Sequence, residues 1–288
     1  MHADKRRTPR PKRIVSVLRS VAGVDDSTRW RINRNTKGVT IMGELTLQEL
    51  LEAGVHFGHQ TKRWNPKMKP YLFAEKNGIH IIDLEQTLSL LNAARDSIRE
   101  IAGNGKSVLF VGTKPQAKHA IKEEAERCNM PYVTERWLGG TLTNFNTVRR
   151  SLGRLQYLEK MEIDGTIAQF SKKEISGFAK ERERILKTLG GVRNMTDLPG
   201  LVFIVDTKKE QNGVNEARRL KIPIVGVVDS NADPGEVDFP VPGNDDAMRA
   251  IGLFARVVAD ACIEGRSRFT EGRDVSSGDE PESAKSVA

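Results

Sequence analysis

Glu135-Arg136-Trp137-Leu138-Gly139-Gly140-Thr141-Leu142-Thr143-Asn144-Phe145 stands at the one break in an otherwise regular pattern. On either side of it, short apolar runs alternate with helix-periodic stretches. Directly after it, residues 146–193 interrupt that alternation. The segment reads as a hinge between an α/β body and something that projects from it. Gly139-Gly140 alone would support only an ordinary turn closed by a helix cap. In this position the glycines also let the backbone leave a sheet, Thr143 or Asn144 caps the next helix, and Arg136 lies where body and projection meet.

Upstream, Gly78–Asp83 reads as a buried strand, with Asp83 and Gln86 capping a helix to about Ala102. Ser107–Val111 is the next strand; Gly112 turns, and Thr113 with Gln116 caps a helix ending near Cys128. Pro131–Thr134 is a short third strand. Downstream, Leu201–Val205 is a strand, Thr207-Lys208-Lys209-Glu210 a capping box, and the helix after it runs to Leu220. Pro223–Val228 is a strand ending at Asp229. Asp238–Val241 is a last one, placed at an edge by Pro240. Asn244 then caps a long helix with apolar positions Met248, Ile251, Ala255, Val258 and Cys262. Strand, turn with cap, helix, repeated, predicts a Rossmann- or flavodoxin-like parallel sheet covered on both faces.

The interruption carries its own signals. Val148, Leu152, Leu155, Leu158 and Met161 form one stripe, and Ile163–Thr166 a turn. Ser171-Lys172-Lys173-Glu174 is a capping box; Ile175, Phe178, Arg182, Ile185 and Leu189 follow at spacings of three and four, closed by Gly190-Gly191. Two amphipathic helices with narrow stripes predict an antiparallel coiled-coil hairpin inserted in the body. It holds eleven basic residues against six acidic ones, Arg149, Arg150, Lys172 and Lys173 among them. A basic hairpin of this kind touches phosphates or another subunit, or is a solvated coiled coil whose charge serves solubility.

Near the start, Thr46-Leu47-Gln48-Glu49 is a capping box before a short helix. His56 and His59 invite a metal reading, but no carboxylate or thiol lies at ligand spacing. Lys62, Arg63, Lys67 and Lys69 then interleave with Trp64 and Tyr71, while Pro66 and Pro70 keep the stretch out of a helix. Cations for phosphate and aromatics for stacking are the composition of a nucleic-acid-binding loop. Trp64 either stacks or anchors the loop on the core.

Sheets of this kind bind ligands beyond their strand C-termini. The phosphate-binding equipment is missing there. Gly112-Thr113-Lys114 has a single glycine, and neither a Walker loop nor a Gly-x-Ser-x-Gly elbow occurs. Asp206, Asp229, Asp245 and Asp246 are the only candidates for a structural Mg²⁺, and such residues more often cap turns. On the residues alone, a doubly wound enzyme lacks both a phosphate loop and convergent acid/base groups.

Apolar residues make up 38% and charged residues 29% of the 288. No run reaches the roughly 18 apolar residues of a membrane span, and the charged N-terminus lacks the apolar core of a secretory signal. Cys128 and Cys262, far apart in sequence, make neither a disulfide framework nor a zinc site, which implies a reduced, cytoplasmic setting. The formal charge of +8 belongs to residues 1–41, with eleven Lys/Arg against three Asp; the rest carries 35 basic and 35 acidic residues. That arm is expected to be disordered. It is either a tail that folds onto nucleic acid or a stretch preceding the real start at Met42.

Four separated motifs carry a resemblance. They are His56-Phe57-Gly58-His59 with Trp64-Asn65-Pro66-Lys67-Met68; Arg136 through Asn144; Leu198-Pro199; and Asp229-Ser230-Asn231-Ala232-Asp233-Pro234 with Pro242-Gly243-Asn244-Asp245-Asp246-Ala247. In this order they resemble the family of the second protein of the bacterial small ribosomal subunit, over about residues 42–270. The resemblance implies an α/β body with a helical hairpin, contact with small-subunit rRNA and neighbouring small-subunit proteins, no catalysis, cofactor or small-molecule substrate, and a part in recruiting the large mRNA-binding one during initiation. The expected partition is a basic arm 1–41, a body 42–145 and 194–270, a hairpin 146–193, and an acidic disordered tail 271–288. The RNA-contacting candidates are Lys62, Arg63, Trp64, Lys67, Lys69, Arg136, Asn144, Arg149, Arg150, Lys172 and Lys173. The alternatives are a doubly wound nucleotide-dependent enzyme and a coiled-coil scaffold.

Overall fold

A computed structural model describes residues 45–276, with side-chain surroundings through Phe269. The expectations for residues 1–41 lie outside the described residues, as do those for 277–288. The elements in order are α1 (Leu47–Glu52), β1 (Phe57–Gln60), β2 (Leu72–Lys76), β3 (Ile79–Ile82), α2 (Leu84–Gly103), β4 (Val108–Val111), α3 (Pro115–Arg127) and β5 (Tyr132–Val133). There follow α4 (Phe145–Ile163), α5 (Lys172–Leu189), β6 (Leu201–Val205), α6 (Gln211–Arg219), β7 (Ile224–Val228), β8 (Phe239–Pro242) and α7 (Met248–Ser276). Helix α7 thus continues past position 270, the expected end of the body. No described helix is long and apolar enough to cross a membrane.

The main sheet is five-stranded and parallel, in the order β5-β4-β6-β7-β8. Relative to the first of these strands in sequence, that is the flavodoxin-like order, with the direction of winding reversing between β4 and β6. Alternate residues of each central strand enter different cores. Val108, Phe110, Leu201 and Phe203 join one with α2, α3 and α7; Leu109, Val111, Val202 and Ile204 join another with α4, α5 and α6. Burial of both faces is why β4, β6 and β7 read as unbroken apolar runs rather than alternating ones. Pro240 sits in the edge strand β8, where its missing N–H costs no ladder bond.

Gly78–Asp83 does not belong to this sheet, against the sequence expectation. Strand β3 pairs antiparallel with both β1 and β2 in a separate three-stranded sheet. Asn77 and Gly78, both at positive φ (54° and 73°), make the tight turn between β2 and β3. Asn-Gly is a strong hairpin signal, because two consecutive left-handed residues match the twist of the flanking strands. The loop 61–71 is also more regular than expected. It forms two 3₁₀ turns, Thr61–Arg63 and Pro66–Tyr71, and Asn65 Oδ1 accepts from Lys67 N at 3.0 Å. Pro66 occupies the first helical position, where no N–H is needed.

The capping boxes at Thr46 and Ser171 form, and the Asp83 carboxylate caps α2. Two other cap assignments fail. Thr113 donates to Glu210 rather than capping α3, which starts at Pro115 without a side-chain cap. The Glu210 carboxylate is drawn to Thr113 by the same bond, so no box closes at Thr207; that turn precedes α6, whose N-cap by position is Glu210. Met248, expected in the buried stripe of α7, is 70% exposed, whereas Ile251, Ala255, Val258 and Cys262 are buried.

Helices α4 and α5 touch through Arg154–Glu181 and Arg182–Glu162, with Arg193–Glu159 at the return of the chain. Val148, Leu152, Leu155, Ile185 and Leu189 share a core with the sheet, so the near halves of both helices are part of the body's packing. At the far end Ile163 is 84% exposed. Gly190 does not close α5 in the left-handed manner; its φ is −56°, and the chain continues into a 3₁₀ turn, Gly190–Val192.

Candidate nucleic-acid interface

Residues 56–68, 229–234 and 242–247, separated in sequence, meet at the C-terminal edge of the parallel sheet, whereas Leu198-Pro199 precedes β6 at the opposite edge. His59 N donates to Asp229 Oδ1 (3.1 Å) and Ser230 Oγ (2.9 Å). Asn65 N donates to Ser230 O at 2.9 Å, and Lys67 pairs with Asp233. Asn244 N donates to Val55 O at 3.1 Å. The small antiparallel sheet and its 3₁₀ loop are therefore fastened to the ends of β7 and β8. This fixes the position from which Lys62, Arg63, Trp64 and Lys69 face solvent. Trp64 lies against His80 with ring centroids 5.6 Å apart and keeps 38% of its surface exposed. The tryptophan is thus an anchor that also remains accessible.

The four acidic candidates do not form a Mg²⁺ cluster. Lys114 Nζ lies 2.8 Å from each of Asp206 Oδ2, Asp245 Oδ1 and Asp246 Oδ1, so an ammonium supplies the positive charge. Asp229 turns instead to His59, whose Nδ1 is 2.9 Å from Asp229 Oδ2 while Nε2 is 3.4 Å from Asp246 Oδ2. Burial would lower the Lys114 pKa; the three carboxylates outweigh it and hold the amine protonated above its ordinary range. Asp245 is fully buried and is pushed up to about 7, first by burial and then by the charges of Asp229 and Asp206. His59 is raised, first by its hydrogen bond to Asp229. One ligand atom each from His59, Asp245 and Asp246 lies within 4.8 Å of the others. An imidazole with two carboxylates suits Zn²⁺ or Mn²⁺ better than Mg²⁺. His56 does not join His59 there; its ring is tilted against Phe57 at 3.9 Å.

The stretch 135–145 is organised by a residue that the sequence did not single out. Glu216 in α6 accepts from Trp137 Nε1 (3.0 Å), Gly140 N (2.8 Å), Leu142 N (2.9 Å) and Thr143 N and Oγ1 (both 3.1 Å). Gly140 adopts φ 86°, and the N–H groups of Gly140, Leu142 and Thr143 converge on one carboxylate. Gly213 lies against the Trp137 ring, where an added Cβ would sit 3.3 Å from it. Asn144 is the N-cap of α4 by position, but its Oδ1 accepts from Thr147 Oγ1 rather than from the backbone. Arg136 and Asn144 are both exposed at the two ends of this fastened loop.

Burial works to raise the Glu216 pKa, but the donors dominate and hold it below the usual carboxylate range. The stability it contributes is therefore present above its unfolded pKa and lost as pH falls through the lower folded value. Glu216→Gln keeps the shape but turns an NH₂ group toward N–H donors. It is expected to cost about 2 kcal/mol near neutral pH and less at pH 4, read by urea unfolding at both values.

The remaining sequence candidates, Arg149, Arg150, Lys172 and Lys173, are exposed. Arg149 and Arg150 lie near the start of α4, and Lys172 and Lys173 open α5. The candidates thus form separate groups rather than one cluster.

Residues 50–265 match the family described as Ribosomal protein S2. A protein of Treponema pallidum (strain Nichols), named small ribosomal subunit protein uS2, is 53% identical over 251 residues, covering 85% of this chain and 86% of its own. One of the same name from Geotalea uraniireducens (strain Rf4) is 54% identical over 224 residues, covering 78% and 88%.

Proposed function

The chain belongs to the ribosomal protein S2 family, and from that premise we propose that it is a structural, non-catalytic constituent of the small ribosomal subunit that binds the subunit's rRNA. The observation that carries the RNA contact is a division among the cations. Arg154, Arg182, Arg193, Lys114 and Lys118 are held in ion pairs within the chain. Lys62, Arg63, Lys69, Arg136, Arg149, Arg150, Lys172 and Lys173 are exposed and make no ion pair among the described residues. Exposed cations without internal partners are the groups that phosphates recruit. Trp64 and Asn144 accompany them as a stacking surface and a polar contact. Lys67 stands apart, since its partner Asp233 competes with phosphate.

In this reading the protein works with the ribosome in the cytoplasm, in contact with rRNA and neighbouring small-subunit proteins. Recruitment of the large mRNA-binding protein, and with it a part in initiation, is the finer reading. The helices of 146–193 are its projecting, RNA-facing element, packed as a coiled coil beyond their shared core with the sheet. No cofactor takes part. A divalent ion held by His59, Asp245 and Asp246 would act as a brace at the sheet's C-terminal edge.

The test is co-sedimentation with small subunits lacking this protein, across a salt series. Arg149→Ala with Arg150→Ala is expected to leave the melting temperature unchanged and to lower the slope of log affinity against log salt by about 2, near one per lost phosphate contact. An unchanged slope removes these two residues from the interface. Failure of the unaltered protein to co-sediment at moderate salt overturns the RNA-binding reading.

A further inference from the structure

The sequence holds three Asn-Gly pairs, Asn77-Gly78, Asn104-Gly105 and Asn212-Gly213. In such a pair the backbone nitrogen of the glycine can attack the asparagine side chain, because no Cβ shields it. The fold treats the three pairs differently. Gly105 N donates to Ala102 O at 3.0 Å, and a Cβ built on Gly105 would meet the Phe269 ring at 2.9 Å. Gly213 is buried inside α6, where a Cβ would lie 3.3 Å from the Trp137 ring. Gly78 is exposed, nothing lies within 4 Å of a Cβ built on it, and its N–H donates to no group among the described residues.

Asn77 and Gly78 form the tip of the β2–β3 hairpin, closed by the facing residues Lys76 and Ile79. Asn77 is exposed and left-handed at φ 54°, a conformation that residues other than glycine rarely adopt. A two-residue turn at the end of a ribbon opens at little cost, so Asn77 can rotate to bring its side-chain carbonyl onto Gly78 N. The tip is also a fastening point. Gly78 O accepts from Thr61 N at 3.0 Å, and Thr61 starts the 3₁₀ turn that carries Lys62 and Arg63.

We propose that Asn77-Gly78 is a site of spontaneous modification, at which Asn77 deamidates to isoaspartate and releases the turn 61–63 from the hairpin tip. Gly78 N gives up its proton to hydroxide and attacks the side-chain carbonyl carbon of Asn77. The bond to the side-chain nitrogen breaks, and ammonia leaves with a proton from water. The five-membered imide then takes up water. Opening at the side-chain carbonyl gives aspartate; opening at the backbone carbonyl gives isoaspartate, with the main chain routed through Cβ and Cγ. One water is consumed and one ammonia released, with no change of oxidation state. The extra main-chain atom breaks the two-residue turn, so Lys76 and Ile79 no longer face each other and Gly78 O moves off Thr61 N. The new carboxylate also adds a negative charge beside a loop whose cations hold phosphate, a consequence that rests on the rRNA-binding reading.

The experiment ages the purified full-length chain at pH 8 and physiological temperature, digests it at pH 6 and maps the peptides. Residue 77 is expected to gain the mass of OH in place of NH₂ at least about tenfold faster than Asn104 or Asn212, which must first lose a hydrogen bond or their packing. An isoaspartyl methyltransferase with labelled S-adenosylmethionine is expected to label residue 77. Amide hydrogen exchange at Thr61 is expected to quicken in step with the conversion. Asn77→Gly suits the left-handed position and is the control, expected to fold, to gain no mass at residue 77 and to keep Thr61 protected. Equal rates at the three pairs, an intact Asn77, or a conversion that leaves Thr61 as protected as before would each overturn the proposal. These readouts use the isolated chain, so their failure is distinct from a failure to bind rRNA.

Discussion

Lys114→Met is expected to destabilise the protein by about 3–5 kcal/mol at pH 8, the cost of leaving buried carboxylates without their cation. The side chain of Lys114 is 12% exposed, and those of Asp206 and Asp245 are 9% and 1% exposed, so water cannot replace the ammonium. The pH dependence has a definite sign. Asp245 already titrates near 7 with Lys114 in place, above its unfolded value. Its contribution is greatest below the unfolded carboxylate pKa and is lost as pH rises through about 7. Lys114 is what holds the Asp245 pKa down, so without it the defect is expected to shrink toward pH 5 as that carboxyl takes up a proton. Thermal melting at pH 5 and pH 8 checks this. An equal defect at both values would mean that the lysine acts through packing rather than charge.

Gly191→Ala is expected to cost about 3 kcal/mol or to prevent native packing of the segment that returns from α5. An added Cβ would lie 2.2 Å from the Tyr132 carbonyl oxygen and 2.6 Å from the Tyr132 ring. The carbonyl belongs to β5, an outer strand of the parallel sheet, so it can yield only by disturbing that strand. The 3₁₀ turn Gly190–Val192 covers this edge, which a close backbone approach alone permits. Urea unfolding measures the loss. Gly153→Ala in α4, with open space at its Cβ, is the comparison and is expected to stabilise slightly.

These two residues show where reading the chain stops. Lys114 appeared in sequence only as part of a failed phosphate-loop motif, because its three partners lie about a hundred positions away. Gly191 resembled a helix terminator, since a glycine after an amphipathic stripe usually is one. Glu216 gave no signal, for a carboxylate on a helix surface looks alike whether it faces water or a ring of donors. The strands β4, β6 and β7, the boxes at Thr46 and Ser171, and the buried stripe of α4 were legible, because each rests on residues close together in the chain. The Asn77-Gly78 hairpin was legible in principle, and it would have removed β3 from the parallel sheet.

The sequence by itself determined the α/β class, the buried strands, the helical interruption after Asn144, the family resemblance and the residues whose charge suits RNA. These follow from periodicity and local backbone chemistry, which act over a few residues. Only the tertiary structure decided that Glu135–Phe145 is held by Glu216 and that the acidic motifs close on Lys114. Each is a contact between segments tens of residues apart, chosen when the two faces of the sheet were covered. No local pattern encodes which distant donor a buried carboxylate will meet.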